Sequence, residues 1–368
     1  MVNKEIKFDF DDLLIMPCGQ SKINSRKEVN VFDDNGMLPL FTAPMDTVVD
    51  TENSKIFNEN KIYPIIPRTY DKLMPEDNEW KAMGLKEFEH FYVKNDIIDL
   101  FYVDPEKAKS IMNHKILIDI ANGNMKQLVD MVKISKEKYG DKLTLMVGNI
   151  ANPETYKLLS EAGADFCRVG IGGGSGCLTS QNVGVGYPLG SLISECYEIS
   201  CELNTPAKIV ADGGMKNYSD IIKALALGSD YVMIGGILNK SLESAGETFG
   251  ANIHHDTPTG GWLEPGEKVN QYSENVKNAF KNGAKFYKKF RGMSTKGVQK
   301  LLGNDNIKTS EGVTRMNPVE YTIEGWTENF KHYLASAMSY TGSSNLNEFI
   351  GKVDLNLITQ SSFNRFNK

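Results

Sequence analysis

Ile209-Val210-Ala211-Asp212-Gly213-Gly214 and Tyr231-Val232-Met233-Ile234-Gly235-Gly236 are two apolar runs, each ending in a pair of glycines. Between them, residues 218–227 carry apolar side chains at helical spacing. Upstream, Ala164-Asp165-Phe166-Cys167-Arg168-Val169 reads as another buried strand. It runs into Gly170-Ile171-Gly172-Gly173-Gly174-Ser175-Gly176-Cys177-Leu178-Thr179. Strand, glycine turn and helix in repetition is the rhythm of an α/β fold of the (β/α)8 TIM barrel type. In that fold the strand C-termini face the active site, and the loops after strands 7 and 8 commonly bind phosphate.

Working outward, the spacing predicts eight barrel strands at 40–43, 62–66, 99–103, 115–120, 143–147, 165–169, 209–211 and 231–234. Residues 127–138 and 153–162 predict outer helices. Asn149, at a strand end, fits a helix cap as well as a site residue. The 368 residues suit one barrel with insertions, since such barrels run from ~200 to over 400 residues. Hydrophobic content of 40% and charged content of 24% describe a soluble globular chain. A net charge of −6 argues against a nucleic-acid partner. No apolar run approaches the ~20 residues of a membrane helix, which argues against a membrane partner. Residues 1–10 lack the apolar centre of a signal peptide. The five cysteines (Cys18, Cys167, Cys177, Cys196 and Cys201) are an odd number, which fits reduced thiols and a cytoplasmic location.

The chemistry concentrates at 170–188. Successive amides in a glycine-rich turn can bind an anion. A cysteine beside such a turn, with the hydroxyl of Thr179 two residues on, is a candidate nucleophile.

Further segments join these in a recognisable order: Phe8-Asp9-Phe10-Asp11-Asp12-Leu13-Leu14-Ile15-Met16-Pro17, Ser25-Arg26-Lys27-Glu28-Val29, Thr42-Ala43-Pro44-Met45-Asp46-Thr47, Phe290-Arg291-Gly292-Met293-Ser294 and Ser339-Tyr340-Thr341-Gly342. With the cysteine loop and the two glycine-ended strands, they resemble the family of IMP dehydrogenases and GMP reductases over almost the whole chain. Many dehydrogenases of that family carry a pair of CBS motifs, and 67–114 is too short to hold one. The expectation is therefore a single catalytic barrel over 1–368, with an insertion at 248–285 after strand 8 and a C-terminal flap at 286–320. The segment 75–101 is read as a barrel helix and loop region.

Within the family, the flap discriminates. Residues 293–311 lack the Arg-Tyr pair with which dehydrogenases activate water. Ser310-Glu311-Gly312, Val183-Gly184-Val185-Gly186-Tyr187-Pro188, Asp119-Ile120-Ala121-Asn122-Gly123 and Gly235-Gly236-Ile237-Leu238 are all similar to the reductase branch. The resemblance implies NADPH-dependent reductive deamination of GMP to IMP and ammonia through a covalent adduct of Cys177 at purine C2. It implies Thr179 and Glu311 as the proton relay, because a threonine hydroxyl alone is too weak an acid. It also implies Ser175, Gly214, Gly235 and Gly236 at the 5′-phosphate, Asp212 at the ribose, and Gly292, Met293 and Ser294 along the base. Arg68, Asp119, Ala121 and Asn122 are implied at the cofactor. Carbonyls of Gly172, Gly174 and Cys177 resemble a monovalent-cation loop suited to K+, and family members form homotetramers.

Three alternatives stay open: an IMP dehydrogenase with an altered flap that forms XMP with NAD+, a reductase for a deoxy or modified purine nucleotide, and a non-catalytic nucleotide-binding homologue. The chain departs from the family in its Gly172-Gly173-Gly174-Ser175-Gly176 run, in Lys308 upstream of the flap glutamate, and in the length of 248–285. His254-His255-Asp256 in that insertion is read as a solvated loop, because adjacent histidines do not readily face one ion.

Overall fold

Strand pairing in the computed structural model, which describes residues 4–70, 79–94, 114–254, 262–303, 309 and 311–366, closes a TIM barrel. Its strands are β1 (Leu40–Thr42), β2 (Ile65–Ile66), β3 (Trp80–Met83), β4 (His114–Asp119), β5 (Leu143–Ile150), β6 (Phe166–Val169), β7 (Lys208–Asp212) and β8 (Tyr231–Ile234). Consecutive strands from β2 to β8 pair in parallel, and β1 pairs with β8. The seam between β1 and β2 is closed by a parallel bridge at Phe41 and Tyr63, where Tyr63 N donates to Leu40 O at 3.0 Å.

Alternation along each strand sorts its side chains between two cores. Leu117, Met146, Val210, Tyr231 and Met233 point inward and pack with Phe41, Trp80 and Phe166 in the barrel centre. Their neighbours Ile116, Ile118, Leu145, Val147, Ile209, Ala211, Val232 and Ile234 point outward under the helices. The outer helices include Lys126–Tyr139, Pro153–Glu161 and Tyr218–Ala226. Asn152, not Asn149, caps the second of these: its side chain accepts from Glu154 N at 2.9 Å, and Pro153 occupies the first turn.

The third strand departs from the sequence expectation. Residues 99–103 lie outside the described residues, and the third barrel position is filled by β3, within the segment read as helix and loop. Lys81 sits in the middle of β3 and is buried. Its ammonium donates to the carbonyls of Pro67 at 2.8 Å and Tyr70 at 2.6 Å, which offsets the cost of burying the charge.

Beyond β8 the chain builds a second, antiparallel sheet from β9 (Thr248–His254), β10 (Trp262–Val269), β11 (Phe286–Arg291) and β12 (Thr314–Pro318), in the order β10-β9-β11-β12. The segment expected as an insertion is thus a hairpin followed by the helix Glu274–Lys281. Val276, Ala279 and Phe280 of that helix cover a small core of Leu242, Phe286 and Val319. His255 and Asp256 lie outside the described residues. Lys288 of β11 is fully buried and donates to Leu242 O at 2.9 Å, to Ser244 O at 2.7 Å and to Thr248 Oγ1. Burial pushes its pKa down to about 7. At the opposite end of the chain order, Leu13–Ile15 pairs antiparallel with Leu355–Leu357. No helix among the described residues is long and apolar enough to cross a membrane.

Candidate active site

The C-terminal ends of the barrel strands and the segment after β11 enclose a cavity of about 240 Å3. Three groups of residues line it, each placed by a different element.

The first group stands on strand ends β4 to β7. Arg168 of β6 is buried; its Nη1 donates to Asp119 Oδ1 at 2.6 Å and its Nε to Asp212 Oδ2 at 3.0 Å. Asn149 Nδ2 donates to the same Asp212 oxygen and to Gly170 O, both at 2.7 Å. Burial pushes the Arg168 pKa down, and the facing carboxylates of Asp212 and Asp119 more than offset that, so its net shift is upward. One guanidinium thus holds two carboxylates of the cavity wall in fixed orientation. Beside them Arg68 Nη1 donates to Asp119 O at 3.1 Å, while its Nε is buried without a partner.

The second group is the loop after β6. Cys177 Sγ donates to Thr179 Oγ1 at 3.2 Å, and Thr179 Oγ1 donates to Glu311 Oε2 at 2.6 Å. Thiol, hydroxyl and carboxylate form an unbroken hydrogen-bonded chain. It is held by backbone pairing: Leu178 N donates to Glu311 O at 2.7 Å, Val313 N to Gly176 O at 3.2 Å, and Gly292 N to Val313 O at 2.9 Å. The close approach requires Gly292, since a Cβ there would run into the Gly176 carbonyl oxygen.

The third group is the segment between β11 and β12. Because those strands pair from Tyr287 with Pro318 to Arg291 with Thr314, residues 292–313 leave and return at one edge of the cavity. The base of this segment is anchored by an ion pair between Arg291 and Asp46. Gln299 Nε2 donates to Met293 O at 3.0 Å and holds Met293 against the cavity.

Of the residues singled out from sequence, Cys177, Thr179, Ser175, Asp212, Gly214, Gly235, Gly236, Gly292, Met293, Ser294, Arg68, Asp119, Ala121, Gly172 and Gly174 all line this cavity. Glu311 reaches it through Thr179. Asn122 does not line it; its side-chain oxygen accepts from Asn124 N at 3.1 Å. Ser310 and Lys308 lie outside the described residues. The carbonyls of Gly172 and Gly174 already accept from Ser180 Oγ at 3.0 Å and Cys177 N at 2.9 Å, which leaves each a second lone pair for a cation. Among the described residues no set of three His, Cys, Asp or Glu side chains assembles as a metal site.

Sequence reasoning passed over Arg168 and left Asn149 undecided. The available signal was a charged residue inside a buried strand, Phe166-Cys167-Arg168-Val169, where an unpaired arginine would be prohibitively costly.

Comparison with known proteins agrees with this geometry. A family model described as IMP dehydrogenase / GMP reductase domain matches residues 102–256. The chain is 30% identical to the GMP reductase of Caenorhabditis elegans, over 98% of this chain and 94% of that protein. It is 28% identical to human GMP reductase 1, over 98% of this chain and 97% of the relative. The GMP reductase of Vibrio parahaemolyticus is also 28% identical, over 100% of this chain and 99% of its own length. Matches that run from end to end, on a barrel whose strand ends and flap close around a single cysteine loop, leave one conclusion: the chain belongs to the IMP dehydrogenase and GMP reductase family.

Proposed function

We propose that this protein is a GMP reductase, which converts GMP to IMP and ammonia with NADPH as the reductant. The observation that carries the reading is the chain from Cys177 through Thr179 to Glu311, at 3.2 and 2.6 Å. Full-length similarity to proteins named GMP reductase supports the same branch.

In this mechanism Cys177 Sγ attacks purine C2 and forms a carbon–sulfur bond. The thiol proton passes through Thr179 Oγ1 to Glu311 as the bond forms. Glu311 then returns it through Thr179 to the exocyclic amine, which leaves C2 as ammonia. A carboxylic acid behind the hydroxyl supplies the acidity that threonine lacks. When bound, NADPH supplies a hydride to C2. The carbon–sulfur bond then breaks with its electron pair returning to sulfur, leaving hydrogen at C2 of IMP and a thiolate at Cys177 that regains a proton from solvent.

The residues at hand fit the two ligands. Asp212, held by Arg168 and Asn149, faces the cavity with an orientation suited to accept from ribose hydroxyls. Arg68, whose buried Nε is unpartnered, and Asp119 and Ala121 form the wall assigned to the dinucleotide. K+ on the loop carbonyls of Gly172, Gly174 and Cys177, a cytoplasmic homotetramer, and one catalytic unit over 1–368 with its flap at 286–320 complete the reading.

Absorbance at 340 nm tests the direction. GMP with NADPH should give a steady fall, and IMP with NAD+ should give little XMP. Multiple-turnover XMP formation at a rate rivalling GMP reduction would assign the protein to the dehydrogenase branch instead.

A further inference from the structure

Arg315 lies in β12, in register with Phe290 of β11. Its guanidinium carbon sits 5.0 Å from the centroid of the Phe290 ring. The side chain is exposed, and its guanidinium makes no ion pair or hydrogen bond among the described residues. The Phe290 ring also abuts the cysteine loop, with Cε1 3.0 Å from the Cβ position of Gly176. A Cβ built on Gly236 would lie 2.6 Å from Ser175 Oγ and 4.0 Å from Arg315 Nη2. The guanidinium therefore lies at the rim of the cavity, beside the corner where the Ser175 hydroxyl meets the strand-8 glycines.

We propose that Arg315 is a binding and specificity residue for the 5′-phosphate of the nucleotide, supplying the positive charge of a cradle otherwise built from neutral donors. The proposal rests on the nucleotide reading above and deepens it. Ser175 Oγ and the amides of Gly214, Gly235 and Gly236 can donate hydrogen bonds but cannot neutralise a phosphate dianion. A guanidinium presents a planar fork of N–H groups that matches phosphate oxygens two at a time. Stacking on Phe290 fixes the plane of that fork and leaves its edge free, so little side-chain freedom is lost on binding. Gly236 completes the geometry, because a side chain there would fill the space between hydroxyl and guanidinium.

Calorimetric titration with GMP and with guanosine tests the assignment. Arg315→Gln should weaken GMP by about 10- to 100-fold, the scale of a lost charge-assisted contact, and leave guanosine affinity unchanged. Arg315→Lys should recover part of the loss, since it restores the charge without the fork. Inorganic phosphate should compete with GMP on the wild type and lose most of that competition on Arg315→Gln. Equal affinity of wild type and Arg315→Gln for GMP overturns the assignment and leaves the reductase reading standing. An equal loss for GMP and guanosine also overturns it, because that is the pattern of a merely structural role. If the wild type binds no purine nucleotide, the assignment and the reductase reading fall together.

Discussion

The two walls of the cavity are built in opposite ways. The barrel wall is a network of polar and charged side chains on strand ends: buried Arg168 between half-buried Asp119 and Asp212, with Asn149 beside them. Among the described residues, the flap wall meets the barrel through backbone along the seam of Gly176, Gly292 and residues 311–313, with the Arg291–Asp46 ion pair at its base and the Thr179–Glu311 contact as its side-chain link to the cysteine. In the proposed mechanism the first wall orients the ribose, and the second completes the proton relay and carries Arg315 to the phosphate. Substitutions at Arg168 or Asp212 should therefore act on binding, and those at Glu311 or Gly292 on turnover.

The largest effect tests where the two walls meet. Cys177→Ala should lower turnover at least roughly 10⁴-fold by removing the nucleophile, while calorimetry shows GMP still binding. Turnover within tenfold of wild type would break the covalent scheme. Next, Glu311→Gln should slow kcat by about 10²- to 10⁴-fold with little change in nucleotide affinity, the scale of a lost general acid. A matching loss of affinity would show that Glu311 also binds the nucleotide, and its assignment to turnover alone would fall. Gly292→Ala should cost roughly tenfold or more in kcat, because a misplacement near 1 Å at a reacting centre can cost about 100-fold. Thermal unfolding of the barrel should change little in that variant. A large drop in melting temperature would mean that the seam holds the fold as well as the chemistry.

The smallest effect lies in the sheet that carries the flap. Glu247 pairs with Lys268 and Lys289, both at 2.8 Å, and those hydrogen bonds lower its pKa from 4.5 to about 2. A carboxyl depressed in the folded state contributes stability above pH 4.5 and loses it as pH falls through about 2. Because the group is substantially exposed, Glu247→Gln should cost no more than about 0.2–1 kcal/mol at neutral pH in denaturant titration. The difference from wild type should vanish at the acid end. A larger cost would show that this sheet is under more load than its exposure suggests.

Much of this architecture was legible in the chain because strands that end in glycine pairs leave a strong mark. β6, β7 and β8 read directly from apolar runs, and alternation then dictates which side chains face inward. β3 did not, because Lys81 interrupts Trp80-Lys81-Ala82-Met83, and what makes that lysine tolerable is a pair of carbonyls, at Pro67 and Tyr70, that only the folded chain brings to it. The apolar segment 99–103 drew the strand assignment instead. Asn149 was ambiguous for a similar reason: a strand-end asparagine fits a cap until Asn152 is seen to hold that position. The cysteine, its threonine and the flap glutamate were legible as types, and the 2.6 Å contact between residues 179 and 311 was not, since it depends on how β11 and β12 return the chain to the loop. The strands β9 and β10 were missed because polar residues dilute their alternation.

The ribbon of Leu13–Ile15 with Leu355–Leu357 has a consequence for how the protein is made. Translation delivers Leu13 long before Leu357. The two cannot pair until the chain between them has left the ribosome. The loop-to-flap bridge between Cys177 and Gly312 waits in the same way for the second sheet. Contacts this distant in sequence slow folding, because the chain entropy of closing the loop is spent before any contact is gained. A nascent chain stalled before residue 312 would carry the barrel strands with Cys177 lacking its contact to the flap, so the stretch that emerges after the barrel is the one that completes the proposed relay.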